Sequence, residues 1–151
     1  MSARRSRGGG LEADLEASLR RLGTDHVDLF LLHSPAETDL TDGRLFDTLE
    51  RIRTRGLARR VGVSCDNAAV GALALTSGAV TALQLPISEL DDLRPQLAGR
   101  DIFVVTRGIV RARGNRSVRE AFADAAADSA ITTALVETSS ETHLRALAGL
   151  P

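Results

Sequence analysis

Five short, almost wholly apolar runs recur along the chain, and between them apolar residues fall three and four positions apart. The runs are 27–32 (Val-Asp-Leu-Phe-Leu-Leu), 60–64, 80–85, 102–106 and 131–136. A continuous apolar run suits a strand covered on both faces, and three- and four-residue steps suit one face of a helix. The helical stretches carry Leu11, Leu15, Leu19 and Leu22; Leu45, Phe46, Leu49 and Ile52; Val70, Leu73 and Leu75; residues 91–97; Val118, Phe122 and Ala125; and Leu144 with Leu147. Gly23 and Gly56 end the first two. Strands alternating with helices predict an α/β fold of parallel βα units joined by right-handed crossovers.

Open doubly wound sheets and closed (β/α)8 barrels share this alternation, so periodicity leaves both open. A doubly wound nucleotide-binding sheet calls for a glycine-rich turn directly after a strand. The only dense glycine run, Gly8-Gly9-Gly10, stands before the first helix with no apolar run ahead of it, which argues against that alternative.

A chain of 151 residues is the size of one domain. Residues 11–151 are expected to form it, behind a basic, solvated leader over 1–10 that carries Arg4, Arg5 and Arg7. Aromatic residues make up 3% of the chain, so the core must be built from Leu, Val, Ile and Ala. The net charge of -1, with both signs spread along the chain, gives no field for nucleic acid or an anionic membrane. No apolar run is long enough to span a bilayer or to serve as an export signal. A cytoplasmic location is the expectation, and the single Cys65 is compatible with a reducing compartment. His26, His33 and His143 lie on different elements without metal-ligand spacing, so no metal site is expected.

The stretch Leu15-Glu-Ala-Ser-Leu-Arg-Arg-Leu-Gly-Thr-Asp-His-Val-Asp-Leu-Phe-Leu-Leu-His-Ser-Pro35 resembles the aldo/keto reductase segment that leads a helix into the fourth barrel strand. Gly56-Leu-Ala-Arg-Arg-Val-Gly-Val-Ser64 is similar to that family's fifth strand, Val80-Thr-Ala-Leu-Gln84 to its sixth, residues 101–107 to its seventh and Ala134-Leu-Val-Glu-Thr-Ser-Ser140 to its eighth. All five occur in order over residues 11 to 150. The resemblance implies a partial TIM-type (β/α) barrel of about five parallel strands, lacking the first three βα units, and an NADP-dependent oxidoreductase family.

In that family the first three strands supply an Asp, a Tyr that donates the proton and a Lys that lowers the phenol pKa. This sequence contains no Tyr, and all 19 of its Lys+Arg residues are Arg. The resemblance places His33 at the catalytic histidine, where an imidazole moves protons near neutral pH. It places Ser64 and Gln84 against the nicotinamide carboxamide, whose donors and acceptors a hydroxyl and an amide satisfy. The Asn that usually follows the serine is Cys65 here, which cannot replace an amide, and Asn67, two residues further on, is the substitute if the loop is longer. Arg107 falls at a cofactor-contacting position, and a solvated loop charge is its equal alternative. Thr138, Ser139 and Ser140 correspond to the grip on the adenosine phosphate at a helix start; Ser140 also reads as a plain N-cap.

Several positions depart from the family pattern. Glu137 stands where relatives commonly have Gly, and Ala146 and Leu147 replace a polar pair. NADPH binding is therefore expected to be weakened or absent. Asp91 and Asp92 read as a solvated helix start, and Cys65 as an inert small hydrophobe rather than a nucleophile. Strands at 27–32 and 131–136 would each leave an open edge, which predicts a homo-oligomer or a partner chain. Three function classes remain open: a reductase, a non-redox enzyme with a small-molecule ligand using His33 with Asp66, Glu89 or Arg107, and a non-catalytic binding or regulatory subunit.

Overall fold

The structure, a computed structural model, describes residues 2–3, 10–41, 43–138 and 140–148. In chain order the elements are β1 (Ser2–Ala3), α1 (Leu11–Leu22), β2 (Val27–His33), α2 (Glu37–Leu40), α3 (Gly43–Thr54), β3 (Ala58–Ser64), α4 (Ala68–Ala74), β4 (Ala82–Pro86), α5 (Leu90–Leu97), β5 (Phe103–Arg107), α6 (Ile109–Ala112), α7 (Val118–Ala127), β6 (Thr133–Ala134) and α8 (Glu141–Leu147). A 3-10 turn, Ile87–Glu89, leads into α5.

The strands form one sheet in the order β1-β2-β3-β4-β5-β6, and every neighbouring pair is parallel. A doubly wound sheet reverses its strand order at a switch point. This one does not, and sequential parallel strands with helical crossovers make the wall of a (β/α) barrel. Among the described residues β6 does not pair back onto β1, so the wall is partial.

Register separates the two faces of that wall. Leu32, Val63, Leu83 and Val104 are paired across four strands, and all are buried against the helices in a core shared with Leu15, Leu49, Ile52 and Leu93. Burying a Leu or Val side chain of this kind contributes about 1.5–3 kcal/mol. The alternate row, Leu31, Gly62, Ala82 and Phe103, faces the other way and narrows to Gly and Ala in its middle.

Local sequence accounts for the element ends. Gly23 takes a left-handed φ of 67° after α1, so its amide and that of Thr24 can turn back onto the carbonyls of Arg20 and Leu19. Leu22 sits at this terminus and is exposed, although its spacing had placed it on the buried face. Ser117 caps α7: its Oγ accepts from the Glu120 amide while Glu120 accepts from the Ser117 amide.

The structure departs from the sequence reading in three further places. The apolar run 131–136 forms a strand only at Thr133–Ala134, and Leu135 and Val136 are 39% and 38% exposed. An outer strand has a ladder partner on one side only, so apolar composition alone does not hold it. The leader expected to be solvated instead contributes β1, whose Ser2 and Ala3 pair with Leu31 and Leu32 and cover part of the edge expected to be open. Arg4, Arg5 and Arg7 lie outside the described residues. Lastly, α2 and α6 are single turns too short to leave a periodic signal. No helix among the described residues is long and apolar enough to cross a membrane.

One cross-element ion pair gives a pH prediction. Arg94 of α5 donates Nη1 and Nη2 to the two carboxylate oxygens of Asp128 after α7, at 3.1 and 2.5 Å. The hydrogen-bonded guanidinium holds the Asp128 carboxyl below the usual carboxylate range, against the opposing effect of burial. A depressed folded-state pKa adds stability above the unfolded value, near pH 4, that disappears as pH falls through the lower folded value. Asp128→Asn is therefore expected to lower the melting temperature at pH 7, with the difference from the unaltered chain shrinking as pH falls below about 4. The neutral-pH cost should stay within about 1 kcal/mol because Arg94 is 44% exposed. Melts of both proteins across pH 2.5–7 test this.

Candidate active site

Sheet register assembles the candidate residues. His33 ends β2, Ser64 ends β3, and the Cα pairing runs His33 to Ser64, Ser64 to Gln84, Gln84 to Val105 and Val105 to Thr133. Paired residues in a parallel sheet point to the same face. His33, Ser64 and Gln84 thus form one row on the face opposite the helix-packed core, at the carboxyl ends of the strands where barrel sites lie. Residues 31 and 20 positions apart meet because consecutive βα units bring like ends together.

Within the row, Ser64 is 3% exposed, Gln84 half-buried and His33 exposed. Among the described residues none of the three side chains has a hydrogen-bond partner. Ser34, immediately after His33, has a φ of 43°, a left-handed conformation uncommon outside glycine. Its amide donates to the Ser64 carbonyl at 2.8 Å and ties the ends of β2 and β3 together.

Beside this row, at the ends of β4 and β5, lies a cavity of about 700 Å³. Its charged lining is Asp66, Glu89, Arg107, Arg111 and Glu137, over an apolar floor that includes Ile87, Ile109 and Leu135. Arg107 reaches across the end of β4: its Nη2 donates to the Cys65 carbonyl at 3.3 Å and to Asp66 Oδ1 at 2.5 Å. Glu89 is occupied too, accepting from the Ala68 amide at the start of α4 at 3.0 Å. His33, Ser64 and Gln84 do not line this cavity.

The remaining candidates fall into place around it. Asn67 does not take over the role of the missing amide: its Oδ1 accepts from the Val70 amide at 2.9 Å and caps α4. Cys65 is fully buried, and burial pushes its thiol up to about 11. A thiol that stays protonated at neutral pH is a poor nucleophile. Asp91 and Asp92 lie in the first turn of α5, where carboxylates suit the helix dipole. Thr138 Oγ accepts from the Ser140 amide at 3.1 Å and donates to the Ser140 carbonyl at 3.4 Å, a local turn. Ser140 accepts from the Leu144 amide through its carbonyl. Ser139 lies outside the described residues. No group of three His, Cys, Asp or Glu suited to a metal ion occurs among the described residues.

The residues fit the two ends of a nicotinamide dinucleotide unequally. At the strand row, a hydroxyl and an amide without other partners match the donors and acceptors of a carboxamide. At the phosphate end Arg107 is paired with Asp66, Thr138 is turned onto its own loop, and Glu137 adds a carboxylate to the cavity wall.

Known proteins share both the fold and the sequence pattern. A solved aldo-keto reductase of Bacillus halodurans, AKR11C1 in its holo form, superposes with a TM-score of 0.75 at 21% identity over 89% of this chain and 58% of its own, which shows the fold. An aldo-keto reductase of Mycolicibacterium vanbaalenii is 46% identical over 50 residues, 33% of this chain and 18% of the relative. A D-threo-aldose 1-dehydrogenase of a Pseudomonas species is 36% identical over 56 residues, 36% of this chain and 17% of the relative. The chain thus matches under a fifth of the length of these curated relatives and spans under two thirds of the solved structure. The model of the aldo/keto reductase family matches residues 2–90, more than half of the chain, and the chain belongs to that family.

Proposed function

We propose that this chain is the carboxyl-terminal half-site of an aldo/keto reductase, able to hold a nicotinamide-type ligand at His33, Ser64 and Gln84 but unable by itself to reduce a carbonyl. One observation carries the reading: the row is in register at the strand ends, yet the 151 residues contain neither Tyr nor Lys. Carbonyl reduction needs a proton at the nascent alkoxide as well as a hydride, and a positioned acid contributes about 10²–10⁴-fold. NADPH supplies the hydride when bound, and the name of the yeast relative, an NADPH-dependent alpha-keto amide reductase, supports that cofactor choice. Ser64 and Gln84 would orient its carboxamide, with the phosphate end held weakly. The proton donor would come from a partner chain of different sequence, docked on the side of β6 that is unpaired among the described residues or on the partly covered edge of β2; a second copy could cover these edges but brings no Tyr or Lys. A cytoplasmic location belongs to the same reading.

The test is a titration of NADPH into the purified chain, followed by nicotinamide fluorescence, with aldehyde turnover measured on the same sample. Binding in the high-micromolar range or weaker, with turnover no faster than buffer, is expected. Turnover by the isolated chain, lost in His33→Ala, would sink the proposal. A non-redox role for His33 keeps a place because the imidazole is exposed, within reach of a substrate, and has no partner among the described residues that competes for its proton.

A further inference from the structure

We propose that Asp66 is an internal counter-ion that sets the anion affinity of the strand-end cavity by competing with ligand phosphate for Arg107. The inference rests on the nucleotide-binding reading above and adds the residue that regulates it. Asp66 stands two residues beyond the end of β3, and Arg107 closes β5, with β4 between them. The guanidinium spans that gap and is held at two points, the Cys65 carbonyl at 3.3 Å and Asp66 Oδ1 at 2.5 Å. Both side chains line the cavity of about 700 Å³.

Arg107 is 26% exposed and Asp66 62% exposed, so the pair sits at the cavity mouth rather than inside the core. A pair that open to water contributes little to folding, within about 1 kcal/mol. Its effect on a ligand is larger in proportion. An anion entering the cavity must displace a carboxylate that the same sheet holds beside the guanidinium and that is therefore present at high effective concentration. If the pair stays intact, the anion instead meets Asp66, Glu89 and Glu137, three carboxylates whose repulsion adds to the loss of the guanidinium. Arg111, the other cation on the wall, has no ion-pair partner among the described residues. It remains to attract the ligand weakly. A guanidinium released from Asp66 could instead take a phosphate through two parallel N–H donors, the stronger geometry.

Asp66→Asn keeps the size of the side chain and removes its charge. Inorganic pyrophosphate is the probe, titrated by calorimetry at low salt, and NADPH is titrated separately. Asp66→Asn is expected to bind pyrophosphate about tenfold more tightly than the unaltered chain, with an unchanged melting temperature. The double variant Asp66→Asn with Arg107→Gln should return to the starting affinity. Equal binding within twofold, no pyrophosphate binding by Asp66→Asn up to 10 mM, or a gain that survives in the double variant would each overturn the inference. NADPH separates the two readings. If pyrophosphate affinity rises but NADPH binds neither protein, the half-site proposal falls and the counter-ion stands. If NADPH binds both equally, the counter-ion role falls and the half-site remains.

Discussion

Gly62→Val is expected to lower the melting temperature by about 10 °C or to prevent folding, the largest stability effect of any single change in the sheet. Gly62 of β3 pairs with Ala82 of β4, and a Cβ added at Gly62 would stand 1.7 Å from the Ala82 carbonyl oxygen and 2.7 Å from its carbonyl carbon. The obstacle is backbone, so no rotamer change relieves it. Moving β4 away would strain the connections on either side: the Thr81 amide donates to the Val61 carbonyl at 2.9 Å, the Val61 amide to Thr81 Oγ1 at 3.0 Å, and the Cys65 amide to the Gln84 carbonyl at 2.8 Å. Overpacking a core commonly costs about 1–3 kcal/mol. A clash with the main chain belongs at or above the top of that range, out of a total of about 5–15 kcal/mol. For a chain of this size each kcal/mol shifts the melt by about 2–4 °C. Gly78→Ala is the control, since a Cβ there meets nothing within 4 Å. Parallel melts within 2 °C of each other would refute the account of this close approach.

Gly62 also shows what the sequence makes legible and what it hides. Its place in the apolar run 60–64 was readable, because a strand covered on both faces leaves a compositional trace. Its contact with Ala82 was not, since close approach of two strands depends on sheet curvature that no local pattern records. The same division holds elsewhere. Leu11, Leu15 and Leu19 announce α1 through their spacing, and Gly23 ends it as a left-handed residue should. The run 131–136 looks like its predecessors, yet only Thr133–Ala134 pair, because an outer strand lacks the second neighbour that the inner ones have.

The candidate site divides along the same line. The row His33, Ser64 and Gln84 was legible through the family resemblance, and register then aligns the last residues of β2 and β3 with Gln84 in the middle of β4. Arg107 had been read as either a cofactor contact or a solvated charge, and its observed partner is Asp66, 41 residues away in sequence. Ion pairs at such separation leave no local signal. Asn67, the conditional stand-in for the missing amide, shows a related competition. Its cap on α4 is a short-range pattern, an Asn before an apolar helix, that competes with any long-range role for the same oxygen.

His33 permits a test in which stability and chemistry part company. Its imidazole is exposed at the end of β2 and has no hydrogen-bond partner among the described residues. A structural histidine would lose about 1–3 kcal/mol with its hydrogen bonds on substitution. Here nothing of that kind is lost, so His33→Gln should melt within about 2 °C of the unaltered chain. The chemical effect needs an active assembly to be read. A chimera that joins the preceding strands of the Mycolicibacterium vanbaalenii relative to Leu11 would place a phenol donor, if those strands carry one, opposite the row. In that chimera His33→Gln is expected to reduce kcat by about a hundredfold, the usual scale for losing a group that moves or orients a proton, while KM for the carbonyl changes much less. A polar substitute of similar size keeps the surface intact, so a fall in kcat at constant melting temperature assigns the loss to chemistry. A destabilised His33→Gln protein with full turnover per folded molecule would instead make His33 a structural residue and remove the main reason for placing a reaction at this end of the sheet.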